Sequence, residues 1–147
     1  MGETYSFSGH QSFPFRNTWP TKGVVECAGD PMIFSRDDAM VTLGGGKNMV
    51  ESIRHWCLAT RMIQQDPNVN GGRGRRFSPT PIGDKLFHAD GGWDPYLEDT
   101  GTLWLIHWLL ATNREKATTW YYAFNALNRP DFDRKTLEDA IDHLSPH

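Results

Sequence analysis

Lys47, Asn48, Ser52, Arg54 and His55 lie within nine consecutive positions, and Arg61 follows a few residues later. Arg73, Arg75 and Arg76 then sit in the glycine-rich run Asn70-Gly71-Gly72-Arg73-Gly74-Arg75-Arg76. Ammonium and guanidinium groups hold phosphates, while short polar side chains reach base edges. Asn48 carries the amide that pairs with adenine, and Arg54 the fork that fits guanine. The formal charge of the chain is −3, yet residues 47–83 carry +4, against −2 for residues 1–46 and −5 for residues 84–147. A phosphate backbone is drawn to a local basic patch whatever the net charge. The pattern predicts double-stranded DNA as the partner.

Other chemistry fits less well. Gly44-Gly45-Gly46-Lys47 has Asn48 where a phosphate-binding loop needs Ser or Thr for magnesium, and its leading glycine is missing. Pro130-Asp131-Phe132-Asp133-Arg134-Lys135 imitates the carboxylates and lysine of a nuclease, but its carboxylates are two residues apart and Asp133 is better used as a helix N-cap. The six histidines make no zinc spacing with Cys27 and Cys57. His107, inside an apolar run, reads as a core histidine. His10, in Ser8-Gly9-His10-Gln11-Ser12-Phe13, is the one catalytic candidate, as a general base or a phosphate contact. The alternative is that His10 and Gln11 tie the N-terminal segment to the core. Trp120-Tyr121-Tyr122 reads as a helical core or contact surface rather than a stack for bases. No cofactor is evident, and a divalent metal enters only if the chain nicks DNA.

These groups need a scaffold. Residues 5–17 read as an irregular or short extended segment with Phe7, Phe13 and Phe15. A first helix spans about 18–28, with Pro20 near its start and Gly29-Asp30-Pro31 at its end. Ser35 is placed to cap a second helix, about 36–43, with Asp38 completing a capping box and Gly44 ending it. The third helix, about 47–62, buries Val50, Ile53 and Cys57, with Met49 and Trp56 slightly off axis, and turns Lys47, Asn48, Glu51, Ser52, Arg54, His55 and Arg61 outward. Met62–Gln65 and Arg76–Pro79 pair as strands around the glycine-rich tip. Thr80 caps a fourth helix that has Pro81 at its first position. Residues 89–101 form a loop and the candidate boundary. Beyond it, Leu103–Leu110 is apolar all round and reads as a buried helix, Ala117–Leu127 as another, and Asp133 caps a last helix with Leu137, Ala140, Ile141 and Leu144. The expected fold is mainly α with a small β-hairpin: a winged helix-turn-helix domain over residues 1–90, followed by a helical extension over 91–147.

The 147 residues are 38% hydrophobic, with six Trp and eight Phe, so a packed core is affordable and disorder is excluded. No run nears the roughly 18 apolar residues of a membrane span, and no signal peptide is visible. Two cysteines on apolar stripes read as buried thiols, and a cytoplasmic, membrane-free setting is expected.

Several stretches carry a resemblance. They are Phe7-Ser8-Gly9-His10-Gln11-Ser12-Phe13-Pro14-Phe15-Arg16, Leu43–Val50 with Ser52–Cys57, Thr80-Pro81-Ile82-Gly83, and Asp94–Asp99 with Thr102–Trp108. Together they resemble a bacterial domain-of-unknown-function family found in DNA phosphorothioation (Dnd/Ssp-type) gene clusters. The chain looks similar to the N-terminal part of the component thought to nick DNA in Ssp-type systems. Family members commonly continue further, so residues 1–147 are expected to be an N-terminal fragment or a short member. The resemblance implies a DNA-binding component of a DNA modification and antiviral defence system. Its alternatives are a metal-dependent nickase and a docking module for the sulfur-transfer subunits.

Overall fold

The computed structural model describes residues 5–67 and 74–143. They form a mainly helical protein with one two-stranded antiparallel sheet. Helix α1 (Trp19–Gly29) has Pro20 in its first turn, where a missing N–H is harmless. A 3-10 turn (Ile33–Ser35) leads to the short α2 (Ala39–Leu43) and then to α3 (Lys47–Ala59). Strands β1 (Ile63–Gln65) and β2 (Phe77–Pro79) pair with Ile63 opposite Pro79 and Gln65 opposite Phe77. Helices α4 (Pro81–Phe87), α5 (Thr100–Ala111), α6 (Thr118–Tyr121, continued by a π-helical turn over Tyr122–Ala126) and α7 (Arg134–Asp142) follow. The hairpin tip, with Asn70, Gly71, Gly72 and Arg73, lies outside the described residues.

Apolar spacing of three and four puts Val50, Ile53, Trp56 and Cys57 of α3 on one buried side. They meet Trp19, Val24 and Cys27 of α1. Gly23 permits this approach, because a Cβ there would collide with Cys57 Sγ. Both thiols are buried and free. Burial pushes Cys27 up to about 12 and Cys57 upward as well. The core cluster runs past residue 90 to include Leu97, Ile106, Leu109, Leu110 and Ala117. Loop 88–99 is fastened to α4: the Trp93 and Asp94 amides donate to the Lys85 and Leu86 carbonyls at 2.9 and 3.0 Å. The Asp94 carboxylate accepts the Glu98 and Asp99 amides at 2.8 and 3.1 Å. Asp99 then caps α5. No helix among the described residues is long and apolar enough to cross a membrane.

Local signals placed most boundaries. Gly44 ends α2 at φ 72°, a conformation a Cβ would oppose. Thr80 caps α4 by accepting the Gly83 amide at 3.1 Å, and Asp133 caps α7 by accepting the Thr136 amide at 2.8 Å. Three expectations need correction. Ser35 does not cap α2. That helix starts only at Ala39, with Asp38 before it, because Asp38 pairs with Arg36 at 2.7 Å and Ser35 Oγ accepts the Arg75 amide at 3.2 Å instead. Helix α3 stops at Ala59, three residues early. Arg61 takes φ 59°, and the Arg61 and Met62 amides bond the Leu58 and Cys57 carbonyls at 3.1 and 2.9 Å. That is a left-handed C-terminal lock built without glycine. Helix α5 is not buried all round, since Trp104 is 68% and Trp108 59% exposed. The apolar run hid a helix with only one covered side.

Gly83 sits against the Met62 carbonyl, where an added Cβ would collide with backbone. Gly83→Ala should therefore destabilise the protein by about 1–3 kcal/mol. Urea denaturation measures it, and an unchanged midpoint would refute the seating of α4 on this carbonyl.

Candidate nucleic-acid interface

Helix α3 begins directly after the Gly44–Gly46 turn, with Gly46 at its N-cap and no side chain capping it. Lys47 and Asn48 are exposed, and Glu51 and Arg54, on the same side, are half-buried. The 3-10 turn and α2 flank this side and leave a groove of about 350 Å³ whose polar lining is Ser35, Arg36, Asp37, Lys47, Glu51 and Arg54. Arg36 is engaged by Asp30 and Asp38 at 3.0 and 2.7 Å.

The hairpin meets the same groove. Ser35 Oγ accepts the Arg75 amide at 3.2 Å, and the Phe77 amide donates to the Pro31 carbonyl at 2.8 Å. Phe77 is buried edge-on against Phe34, with ring centroids 5.5 Å apart. These contacts bring Arg75 near Arg54. Burial lowers the Arg54 guanidinium below its ordinary range, the Arg75 charge lowers it further, and Glu51 opposes both. A cation from the helix and one from the hairpin therefore share a local field. Arg75 and Arg76 are exposed, and Arg73 is outside the described residues.

Other residues expected on this face are elsewhere. Ser52 is wholly buried, and its hydroxyl donates to the His10 carbonyl. His55 lies half-buried under the N-terminal strap of residues 5–17, against His10 and Trp56 with ring centroids 5.8 and 5.5 Å away. Gly9 makes room for it, since a Cβ at that position would strike His55 Nδ1. Arg61 leaves the helix altogether and donates to the Thr112 carbonyl at 3.1 Å, beyond α5. Ser52 and His55 are displaced because the strap occupies a second flank of α3, and Arg61 because the helix ends before it. The strap is held by Gln11 Nε2 donating to Glu51 at 2.7 Å and Trp56 Nε1 donating to the Phe13 carbonyl at 3.0 Å. Gln11 and Ser12 hold φ values of 47° and 66° to make its turn.

His10 stacks on Trp56 at 5.7 Å. Together with His55, Lys116 and Trp120 it lines a second, smaller cavity. Sequence reading singled out His10 but missed Lys116 and Trp120 as its neighbours, because no local spacing links residues a hundred positions apart. His107 is half-buried rather than a full core residue, edge-on to Phe124 at 4.7 Å. Asp133 is a helix cap and Asp131 is exposed, so the two carboxylates do not converge. Among the described residues no three His, Cys, Asp or Glu side chains are grouped to hold a metal ion.

Residues 7–146 match the model of a family described as "Protein of unknown function (DUF4007)". The chain belongs to this family. No curated protein matches it. Two solved structures share its fold. An "SspB crystal structure" is 33% identical with a TM-score of 0.82, covering 95% of this chain and 42% of that one. A "Magnesium ion-bound SspB crystal structure" is 34% identical with a TM-score of 0.80, covering 92% and 41%. The chain thus spans about two fifths of the SspB chains it matches.

Burial, with the charges of His10, Lys116 and Arg54, lowers His55 from 6.5 to about 4. Between those values the unfolded chain binds a proton that the folded one refuses. The stability contributed by neutral His55 is full above pH 6.5 and falls as pH drops towards 4. With solvent screening of a partly exposed ring, the loss should be on the order of 1–2 kcal/mol. Denaturation at pH 7.5 and pH 5 should show a smaller difference for His55→Gln than for wild type. Equal differences would contradict the assignment.

Proposed function

We propose that residues 1–90 act as a winged helix-turn-helix that binds double-stranded DNA within a phosphorothioation modification and antiviral defence system. In this reading α2, the Gly44–Gly46 turn and α3 are the helix-turn-helix, and β1 and β2 are the wing. Residues 91–147 are the helical extension. The observation that carries the reading is the hairpin backbone at Arg75 anchored on Ser35 at the groove that Lys47 and Arg54 line, beside exposed Lys47 and Asn48. Cations from the helix and the hairpin on one side attract an anion, and a duplex phosphate is one. The matched SspB structures support the place in an Ssp-type system. Lys47 and Asn48 take base edges or phosphates of the major groove, while Arg54, Arg75, Arg76 and, by sequence, Arg73 hold backbone. Ser52, His55 and Arg61 are removed from that set.

The salt dependence of duplex binding tests this. Each lost phosphate contact lowers the log–log slope by about 1, so changing Arg73, Arg75 and Arg76 together to Ala should flatten it by about 2–3. Ser52→Ala should lower stability but leave the slope alone. An unchanged slope in the triple variant refutes the wing assignment.

A second reading, a docking module for sulfur-transfer or other subunits of such a system, draws on one observation. Leu103, Trp104, Trp108 and Phe124 are exposed large apolar side chains on α5 and the turn after α6. Mobility shifts at low salt with plain and phosphorothioated duplexes separate the two. Binding supports the first, and no binding to either duplex supports the second.

A further inference from the structure

The strap, α3 and the start of α6 enclose a cavity of about 140 Å³ that the DNA face does not use. Phe7, Trp56 and Trp120 form its walls, and His10, His55 and Lys116 its nitrogen groups. Among the described residues no carboxylate lines it. His10 Nδ1 is buried and meets no hydrogen-bond partner among the described residues, although the ring is held by stacking on Trp56. A buried polar atom left unmatched by protein marks a place where a ligand or water atom can bond.

The three nitrogen groups reach the cavity from separate elements. His10 comes from the strap, His55 from α3, and Lys116 from the turn before α6. Their charges act on one another, since His10, Lys116 and Arg54 all disfavour protonation of His55. The field at this point is positive and the available groups donate hydrogen bonds, a setting that repels a cation and attracts an anion. At about 30 Å³ per water, the space holds roughly four to five water-sized groups, the bulk of a tetrahedral oxyanion. Trp120 stands partly exposed at the rim, where a base attached to such an anion would stack.

We infer that this cavity binds a terminal phosphate group, with Lys116 and the His10 and His55 imidazoles as its donors. The phosphate is either the free ion or the 5′-phosphate of a DNA end. The site stands independently of duplex binding by the α3–hairpin face.

Imidazole ring signals of His10 and His55 report on it by NMR. The full chain is titrated at constant ionic strength with inorganic phosphate, with a 5′-phosphorylated single-stranded oligonucleotide, and with the same oligonucleotide bearing a 5′-hydroxyl. Both rings should shift saturably with a phosphate source. Lys116→Ala, a change at an exposed position, should weaken that binding about tenfold or more while the salt slope for duplex DNA stays as in wild type. Tighter binding of the phosphorylated than of the hydroxyl oligonucleotide assigns the site to DNA ends. Ring shifts with inorganic phosphate alone assign it to the free ion. Rings that respond to neither phosphate source, or that respond equally in Lys116→Ala, overturn the proposal.

Discussion

Arg61 and Met62 carry the constraint on which the other elements depend. Arg61 adopts φ 59° and turns the chain out of α3, at a conformational cost of about 1–2 kcal/mol for a residue with a Cβ. The lock that holds it uses the Leu58 and Cys57 carbonyls, so no helix-end acceptor is wasted. The Arg61 and Met62 carbonyls that result are gripped from the far side of the hairpin. Thr80 Oγ1 donates to the Arg61 carbonyl at 2.6 Å, its amide donates to Met62 at 3.0 Å, and Gly83 lies against the same carbonyl. The Arg61 guanidinium meanwhile reaches Thr112, and Asn113 Nδ2 donates to the Ala59 carbonyl at 2.9 Å. One helix end thereby sets the direction of the hairpin, the seat of α4 and the docking of α5.

The N-terminal strap acts on the other flank of α3. It covers Ser52, His55 and Trp56 and leaves Lys47, Asn48 and Arg54 as the open side. This division gives α3 two faces of different character. The open side shares its field with Arg75 of the hairpin. The covered side holds imidazoles and a tryptophan in a small chamber where burial first, and nearby charge second, keep His55 neutral. A single helix thus separates an open, cation-bearing side from a small pocket under the strap.

How much of this was legible depends on whether the determinant was local. Gly44, Thr80 with Pro81, and Asp133 were read correctly because a cap is a bond between residues three or four apart. Ser35 looked like an equally good cap, yet its hydroxyl met the Arg75 amide forty positions away, and that contact prevailed. The end of α3 was missed because Arg61 is not a residue type that advertises a left-handed turn. The sides of α5 were missed because its residues are apolar all round, and composition does not say which side a neighbour will cover. On α3, the helical period grouped Lys47, Asn48, Ser52, Arg54 and His55 on one side, but Ser52 and His55 lie under the strap, of which a local period carries no record.

By itself the sequence determined the order of the elements, the pairing of β1 with β2, the buried stripe of α3 and the concentration of positive charge over residues 47–83, all of which follow from short-range spacing and charge count. Only the tertiary structure decided which charges face outward together. Arg54 and Arg75 meet because Ser35 and Pro31 anchor the hairpin, and His10, His55 and Lys116 meet because the strap crosses α3. Those encounters depend on contacts between residues far apart in the chain, formed when burial of aromatic and aliphatic side chains folds distant segments onto one another. No local pattern encodes such contacts.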